Sequence, residues 1–217
     1  MVRLFEVWLL WSAPIIQSLN VKIVVFPKME RLEEEEEGHR EFCEKACEAL
    51  EKLIKKERIR KLYLEESFEN TKIHNKFPEY MGKVFTALAG NTSITDLSLV
   101  TVSHFLWRAT QSDDSGMASL KAGLIKNNSV RRLRLGTKGA FRGTDLAHLG
   151  DLLEEKRTST KLEMLTLEAA KYPGYRTHHI ETLAEGIRSS ALECLDIQIP
   201  IGPEFQHPPS SKPFTSP

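Results

Sequence analysis

Cys43 and Cys47 have the clearest chemical capacity in the chain, as two thiols four positions apart. On a helix that spacing puts both on one face, which is half of a tetrahedral zinc site. His39 is the only further ligand close by, so the pair reads as small buried apolar residues. With Cys194 as the third and last cysteine there is no disulfide framework, and a reducing interior is the expected setting. His178 and His179 are adjacent, and neighbours on a helix diverge, so they read as surface residues at a helix start. The run Gly136-Thr137-Lys138-Gly139-Ala140-Phe141-Arg142-Gly143-Thr144 is rich in glycine, but the order G-x-x-x-x-G-K-S/T of a phosphate loop is absent. It reads as a loop after a strand. Nothing resembles a nucleophile elbow. The expectation is a protein that is not an enzyme and has no metal and no cofactor.

Charge narrows the partners. Arg131, Arg132 and Arg134 cluster, yet no aromatic series stands beside them to stack bases. Lys+Arg and Asp+Glu balance at 30 each, so neither nucleic acid nor an acidic membrane is expected. Hydrophobic content of 41% with 28% charged residues belongs to an ordinary globular chain.

The elements that position these residues follow from a repeated unit, I/L/V-x-x-L-x-L/I. It occurs as Ile59-x-x-Leu62-x-Leu64, Ile94-x-x-Leu97-x-Leu99, Val130-x-x-Leu133-x-Leu135, Leu162-x-x-Leu165-x-Leu167 and Leu192-x-x-Leu195-x-Ile197. The starts at 59, 94, 130, 162 and 192 differ by 35, 36, 32 and 30 residues. That period marks stacked supersecondary units, each too small to bury its own apolar face. Ile16-Gln17-Ser18-Leu19-Asn20-Val21 fits the same pattern, and a β-branched run continues to Phe26 before Pro27.

Between the strands lie helical stripes. Glu33 to Glu37 reads as the solvated start of a helix, where negative charge suits the dipole, with an acidic docking site as the other reading. The helix over about Glu41 to Lys56 carries Phe42, Ala46, Ala49, Leu50 and Leu53 on one face. Pro78 starts a second helix bearing Met81, Val84, Phe85 and Leu88, which Gly90-Asn91 closes. Possible caps in Ser112 to Gly116 precede Met117, Leu120, Leu124 and Ile125, and Asn127-Asn128 stops that helix. Thr144-Asp145 can cap a helix bearing Leu146, Leu149, Leu152 and Leu153. Tyr172 to Tyr175 is a turn, and Ile180, Leu183, Ala184 and Ile187 form the last stripe.

The ends differ from the middle. Val2 to Ala13 has the outline of a secretory signal, interrupted by Glu6 and followed by Pro14 where cleavage would fall. Its other reading is a helix capping the first, incomplete repeat. The chain thus divides into a repeat domain over residues 1–199 and a proline-rich tail over 200–217. Cytoplasm is the expected compartment, with secretion through a non-ideal signal as the alternative.

Strand–loop–helix units of 30 or more residues built on L-x-x-L-x-L resemble leucine-rich repeats of the ribonuclease-inhibitor-like subfamily. That subfamily's repeats also occur in Ran GTPase-activating proteins and NOD-like receptors. The resemblance implies an α/β solenoid of five to six repeats, with parallel strands on the concave side and helices on the convex side. The family's Asn or Cys, three residues beyond the last core leucine, is replaced by Ser67, Val102, Lys138, Ala170 and Pro200. The expectation is degenerate repeats with no asparagine ladder and irregular loops.

Side chains alternate along a strand, so residues flanking the core leucines point outward. They form columns: Lys61, Asp96, Arg132, Met164, Cys194; then Tyr63, Ser98, Arg134, Thr166, Asp196; then Glu65, Val100, Gly136, Glu168, Gln198. The resemblance implies that this concave face binds another protein. The residues expected to carry binding are Lys61, Tyr63, Glu65, Asp96, Ser98, Arg132, Arg134, Met164, Thr166, Glu168, Asp196 and Gln198. The face is either polarised, basic on one side and acidic on the other, or neutralised where Arg134 meets Glu168. The alternative function is regulation of an enzyme, such as GTPase activation of the Ran type.

Overall fold

A computed structural model describes residues 16–25, 32–68, 77–101, 116–155, 162–171 and 177–200. Side chains are described for most of these, excepting Ile16, 22–25, 32–40, Phe42, 66–68 and 77–79. The N-terminal segment to Pro14, the proposed caps at Ser112 to Ser115, the Tyr172 to Tyr175 turn and the tail beyond Pro200 lie outside the described residues.

Strands and helices alternate: β1 (Ile16–Val25), α1 (Leu32–Lys55), β2 (Ile59–Phe68), α2 (Phe77–Ala89), β3 (Asp96–Thr101), α3 (Gly116–Lys126), β4 (Arg132–Thr137), α4 (Gly143–Glu155), β5 (Met164–Ala169), α5 (Thr177–Ser189) and β6 (Cys194–Gln198). The strands make one sheet in the order β1-β2-β3-β4-β5-β6, and each neighbouring pair is parallel. Each helix also packs on the next helix in sequence. Sequential parallel strands joined by mutually packed helices put the helices on one side of the sheet. This is a leucine-rich-repeat type of α/β solenoid.

Register follows the leucines. Leu62 pairs with Leu97, Leu97 with Leu133, Leu133 with Leu165 and Leu165 with Leu195, and a second row runs Leu64, Leu99, Leu135, Leu167, Ile197. A one-residue slip would turn every core leucine toward solvent, so the burial of these rows locks the alignment. Both rows are buried through β5. Burying a leucine stabilises by about 1.5–3 kcal/mol, so these strand positions dominate over exposed ion pairs worth about 0–1 kcal/mol.

The helical stripes match their expected positions in α2, α3 and α4 and shift in two places. In α1 the buried line is Cys43, Cys47, Leu50, Leu53 and Ile54, with Ala46 and Ala49 half-buried. The cysteines are core residues: burial pushes the Cys47 thiol pKa well up, and its Sγ lies 3.8 Å from Met81 Sδ. α1 begins at Leu32, so the acidic run lies within the helix. In α5 Ala184 is exposed while Gly186 is buried. Gly186 is needed there because a β-carbon would stand 2.2 Å from the Gly150 carbonyl oxygen of α4. Gly123 of α3 approaches the Phe85 carbonyl of α2 in the same way, at 2.2 Å from a built β-carbon.

An asparagine ladder is present, but at the other end of the unit from where the family pattern places it. Asn91 Nδ2 donates to the Ile54 carbonyl at 2.7 Å, and Asn91 Oδ1 accepts from the Ser93 and Ile94 amides at 3.0 and 2.8 Å. Asn127 repeats this one unit on, donating to the Leu88 and Asn91 carbonyls at 2.6 and 2.8 Å and accepting from the Ser129 and Val130 amides at 2.8 and 2.9 Å. Ser93 and Ser129 add donations to the Ile59 and Asn91 carbonyls. Buried turn backbone must be paired, and these side chains do it where each helix hands over to its strand. The turns before β3 and β4 are therefore regular; the loops expected to be irregular are those after the strands, and residues 69–76 and 102–115 lie outside the described residues. The signal was Asn-x-Ser-Ile/Val, present at 91 and 127.

Asp145 caps α4 from its third position, accepting the Arg142 amide at 2.8 Å, while Thr144 is exposed. The other carboxylate oxygen of Asp145 is buried, with no partner among the described residues. Burial pushes its pKa from 3.8 to about 6, against the pull of the Arg142 amide and guanidinium. The folded state thus holds this proton to higher pH than the unfolded chain. Its contribution is fully present below about pH 4 and lost as pH rises through about 6. Asp145→Asn keeps an acceptor for Arg142 and removes the buried charge. It is expected to gain about 2–3 kcal/mol over wild type at pH 7, with the difference vanishing near pH 4 in melts across pH. Parallel pH profiles would contradict this.

Candidate protein-binding face

The face opposite the helices is built from the alternate strand residues, and the register places them in the expected columns. Lys61, Asp96, Arg132, Met164 and Cys194 align across β2 to β6, as do Tyr63, Ser98, Arg134, Thr166 and Asp196. Glu65, Val100, Gly136, Glu168 and Gln198 make the third column. β1 extends the first two columns with Ser18 and Asn20. Every residue expected on the face is exposed or half-buried, unlike the leucines between them in β2 to β5.

The arginines on this face are tethered. Arg134 makes a two-pronged contact with Glu168, Nε to Oε1 at 2.9 Å and Nη2 to Oε2 at 2.7 Å. The reach is diagonal, because Arg134 is in register with Thr166 and Glu168 stands two residues on. Arg132 Nη1 meets Asp96 Oδ1 at 3.1 Å on the neighbouring strand. These carboxylates hold both guanidiniums more firmly protonated, through the hydrogen bonds first. The neutralised arrangement, not separate basic and acidic blocks, describes β3 to β5. Arg131 pairs likewise with Glu163 at 2.5 Å at the strand entry. Tyr63 donates to Glu65 at 3.2 Å, and Gln198 to Asp196 at 3.1 Å.

A hollow of about 280 Å³ opens between β1 and β5, lined by Lys61, Tyr63, Asp96, Ser98, Arg132, Arg134, Met164 and Thr166 among others. Eight of the residues expected to bind line it. Glu65, Glu168, Asp196 and Gln198 lie outside it. Ser98 Oγ is buried, with no hydrogen-bond partner among the described residues. Lys61 makes no ion pair among the described residues.

The remaining chemical candidates sit elsewhere. Among the described residues no group of three or more His, Cys, Asp or Glu side chains could hold a metal. His178 and His179 start α5 as expected, yet their rings do not diverge; their centroids lie 3.9 Å apart. His179 is half-buried, its ring against Gly143, where a β-carbon would clash. Gly136 lies within β4, and Gly139 takes the Lys171 amide across the loop at 2.8 Å. No helix among the described residues is long and apolar enough to cross a membrane.

No family model matches the sequence, and no curated protein matches it. Among solved structures, a chain titled Leiomodin-1 Actin-Binding Site 2 (ABS2) aligns over 69% of this chain and 74% of its own. Identity is 17% and the TM-score 0.37. The fold assignment rests on the strand order and the register.

Proposed function

We propose that this chain is a non-enzymatic interaction scaffold that binds a partner protein on its strand face, with repeats of the ribonuclease-inhibitor-like kind. The observation that carries the reading is the continuous exposed face of parallel strands centred on a hollow of mixed charge, aromatic and aliphatic lining. Such a surface offers fixed side chains on a rigid sheet, which costs little ordering on binding. Cys43, Cys47 and Cys194 form no disulfide, which supports a reducing compartment, and the cytoplasm is part of the proposal.

Capture of partners with the wild-type chain, followed by direct binding of each purified candidate to Arg132→Glu/Arg134→Glu, tests this. Both arginines are outside the core, and the variant loses two exposed ion pairs and sets new carboxylates against Asp96 and Glu168, so it is expected to melt within about 2 kcal/mol of wild type. Its association with a strand-face partner is expected to slow. Unchanged kinetics for every purified partner would move the site off this face.

A further inference from the structure

We infer that the β6 end of the solenoid is a self-association surface, on which a second copy of this chain packs about a two-fold axis, β6 against β6 and α5 against α5. The inference does not depend on the strand face binding a partner. β6 pairs with β5 on one side, and its other edge is open among the described residues. The Cys194 amide goes to the Glu163 carbonyl at the entry to β5, so alternation turns the backbone of Leu195, Ile197 and Ile199 to the open edge. Leu195 and Ile197 continue the two leucine rows, yet they are 41% and 45% exposed where Leu165 and Leu167 are fully buried. An open edge flanked by wet apolar groups is a template for another strand.

Charge selects the second copy and its register. An edge that pairs with its own copy about a two-fold axis through the sheet runs antiparallel to it. With Ile197 on the axis, Leu195 faces Ile199 of the other copy, and Asp196 faces its Gln198, whose amide donates to a carboxylate. An axis at Asp196 would oppose two carboxylates, and an axis at Leu195 would set Glu193 against Ile197. α5 points to the same axis independently. By the helical repeat, the side of α5 turned away from Gly186, and so from α4, carries Ala184 with Glu181 and Arg188 flanking it, all exposed. Antiparallel helices meeting at Ala184 bring Glu181 of each copy to Arg188 of the other. Arg188 also contacts Glu185 in its own helix, through Nη1 alone. Ala184 lies about 8 Å back from the end of α5 and Ile197 about 10 Å into β6, so one axis passes both.

The test is sedimentation of the full chain across concentration. One strand and one helix make a small interface, so a monomer–dimer equilibrium with a Kd of about 10 μM is expected. Ile197→Arg sets two like charges on the axis. It is expected to weaken the dimer about tenfold or more and to melt near wild type, since the side chain it replaces is already half wet. Glu181→Arg and Arg188→Glu are each expected to weaken it by about tenfold. The double exchange Glu181→Arg/Arg188→Glu is expected to restore it, which a role within one chain would not produce. In this register Pro200→Cys stands opposite Cys194 of the other copy. Mild oxidation is expected to give a disulfide-linked dimer that is lost when Cys194→Ser is added. A monomer at all concentrations, a dimer indifferent to Ile197→Arg, a double exchange no better than the singles, or no Cys194-dependent link would overturn the inference. A monomer whose Leu195, Ile197 and Ile199 amides resist hydrogen exchange would assign the edge to residues 201–217 of the chain itself, and overturns it too.

Discussion

Leu133→Ala is expected to lower the unfolding free energy by about 2–5 kcal/mol, the range for opening a cavity in a core that relaxes only partly. Leu133 is 1% exposed at the second position of β4, with Leu97 and Leu165 in register on either side. The cavity would fall mid-stack, where the neighbouring strands are held by their own leucine rows and are poorly placed to collapse into it. Leu195→Ala is the matched comparison, in the same row but on the terminal strand. Leu195 is 41% exposed and Ile197 45%, because no described helix packs over β6. Truncation there removes surface already partly wet and is expected to cost about 1 kcal/mol or less. Urea unfolding of the two variants separates the cases. Equal losses would contradict a core that depends on stacking.

Asn127→Ala is expected to cost about 2–4 kcal/mol, more than its loss of volume explains. One buried side chain satisfies two carbonyls and two amides. The carbonyls keep a second donor, the Asn91 amide on Leu88 and the Ser129 hydroxyl on Asn91, while the two amides lose their acceptor at about 1–3 kcal/mol each. The groups belong to the end of α2, the turn after it and the entry to β4, so the loss falls on the joint between two units. Asn128→Ala next door touches an exposed residue and is expected to stay within about 0.5 kcal/mol of wild type. A similar loss in both would mean that general turn propensity, and not the ladder, holds the joint.

The strand columns were readable from sequence because they depend only on leucine period and on the alternation of side chains. Asp96, Arg132, Met164 and Cys194 of the first column open their strands, while β2 starts at Ile59, two residues before Lys61 of that column. The ladder is not legible from the family pattern, which puts the turn asparagine after the strand, whereas Asn91 and Asn127 stand before it. Helix contacts through Gly123, Gly150 and Gly186 were invisible for a different reason. Stripe reading counts large apolar groups, and these positions matter through the absence of a side chain. Charge partners fell between the two cases. Arg134 with Glu168 was anticipated as one alternative, since column positions set their separation. Arg132 with Asp96 was not, because register permits that pair without requiring it, and side-chain reach decides.

The central claim is that the strand face, and not the helical side, receives the partner. Hydrogen–deuterium exchange of the chain, free and saturated with a purified partner, tests it most directly. The account predicts new protection in the segments around Lys61–Glu65, Asp96–Val100, Arg132–Gly136 and Met164–Glu168, with the helices unchanged. Protection confined to α1 through α5 would contradict it.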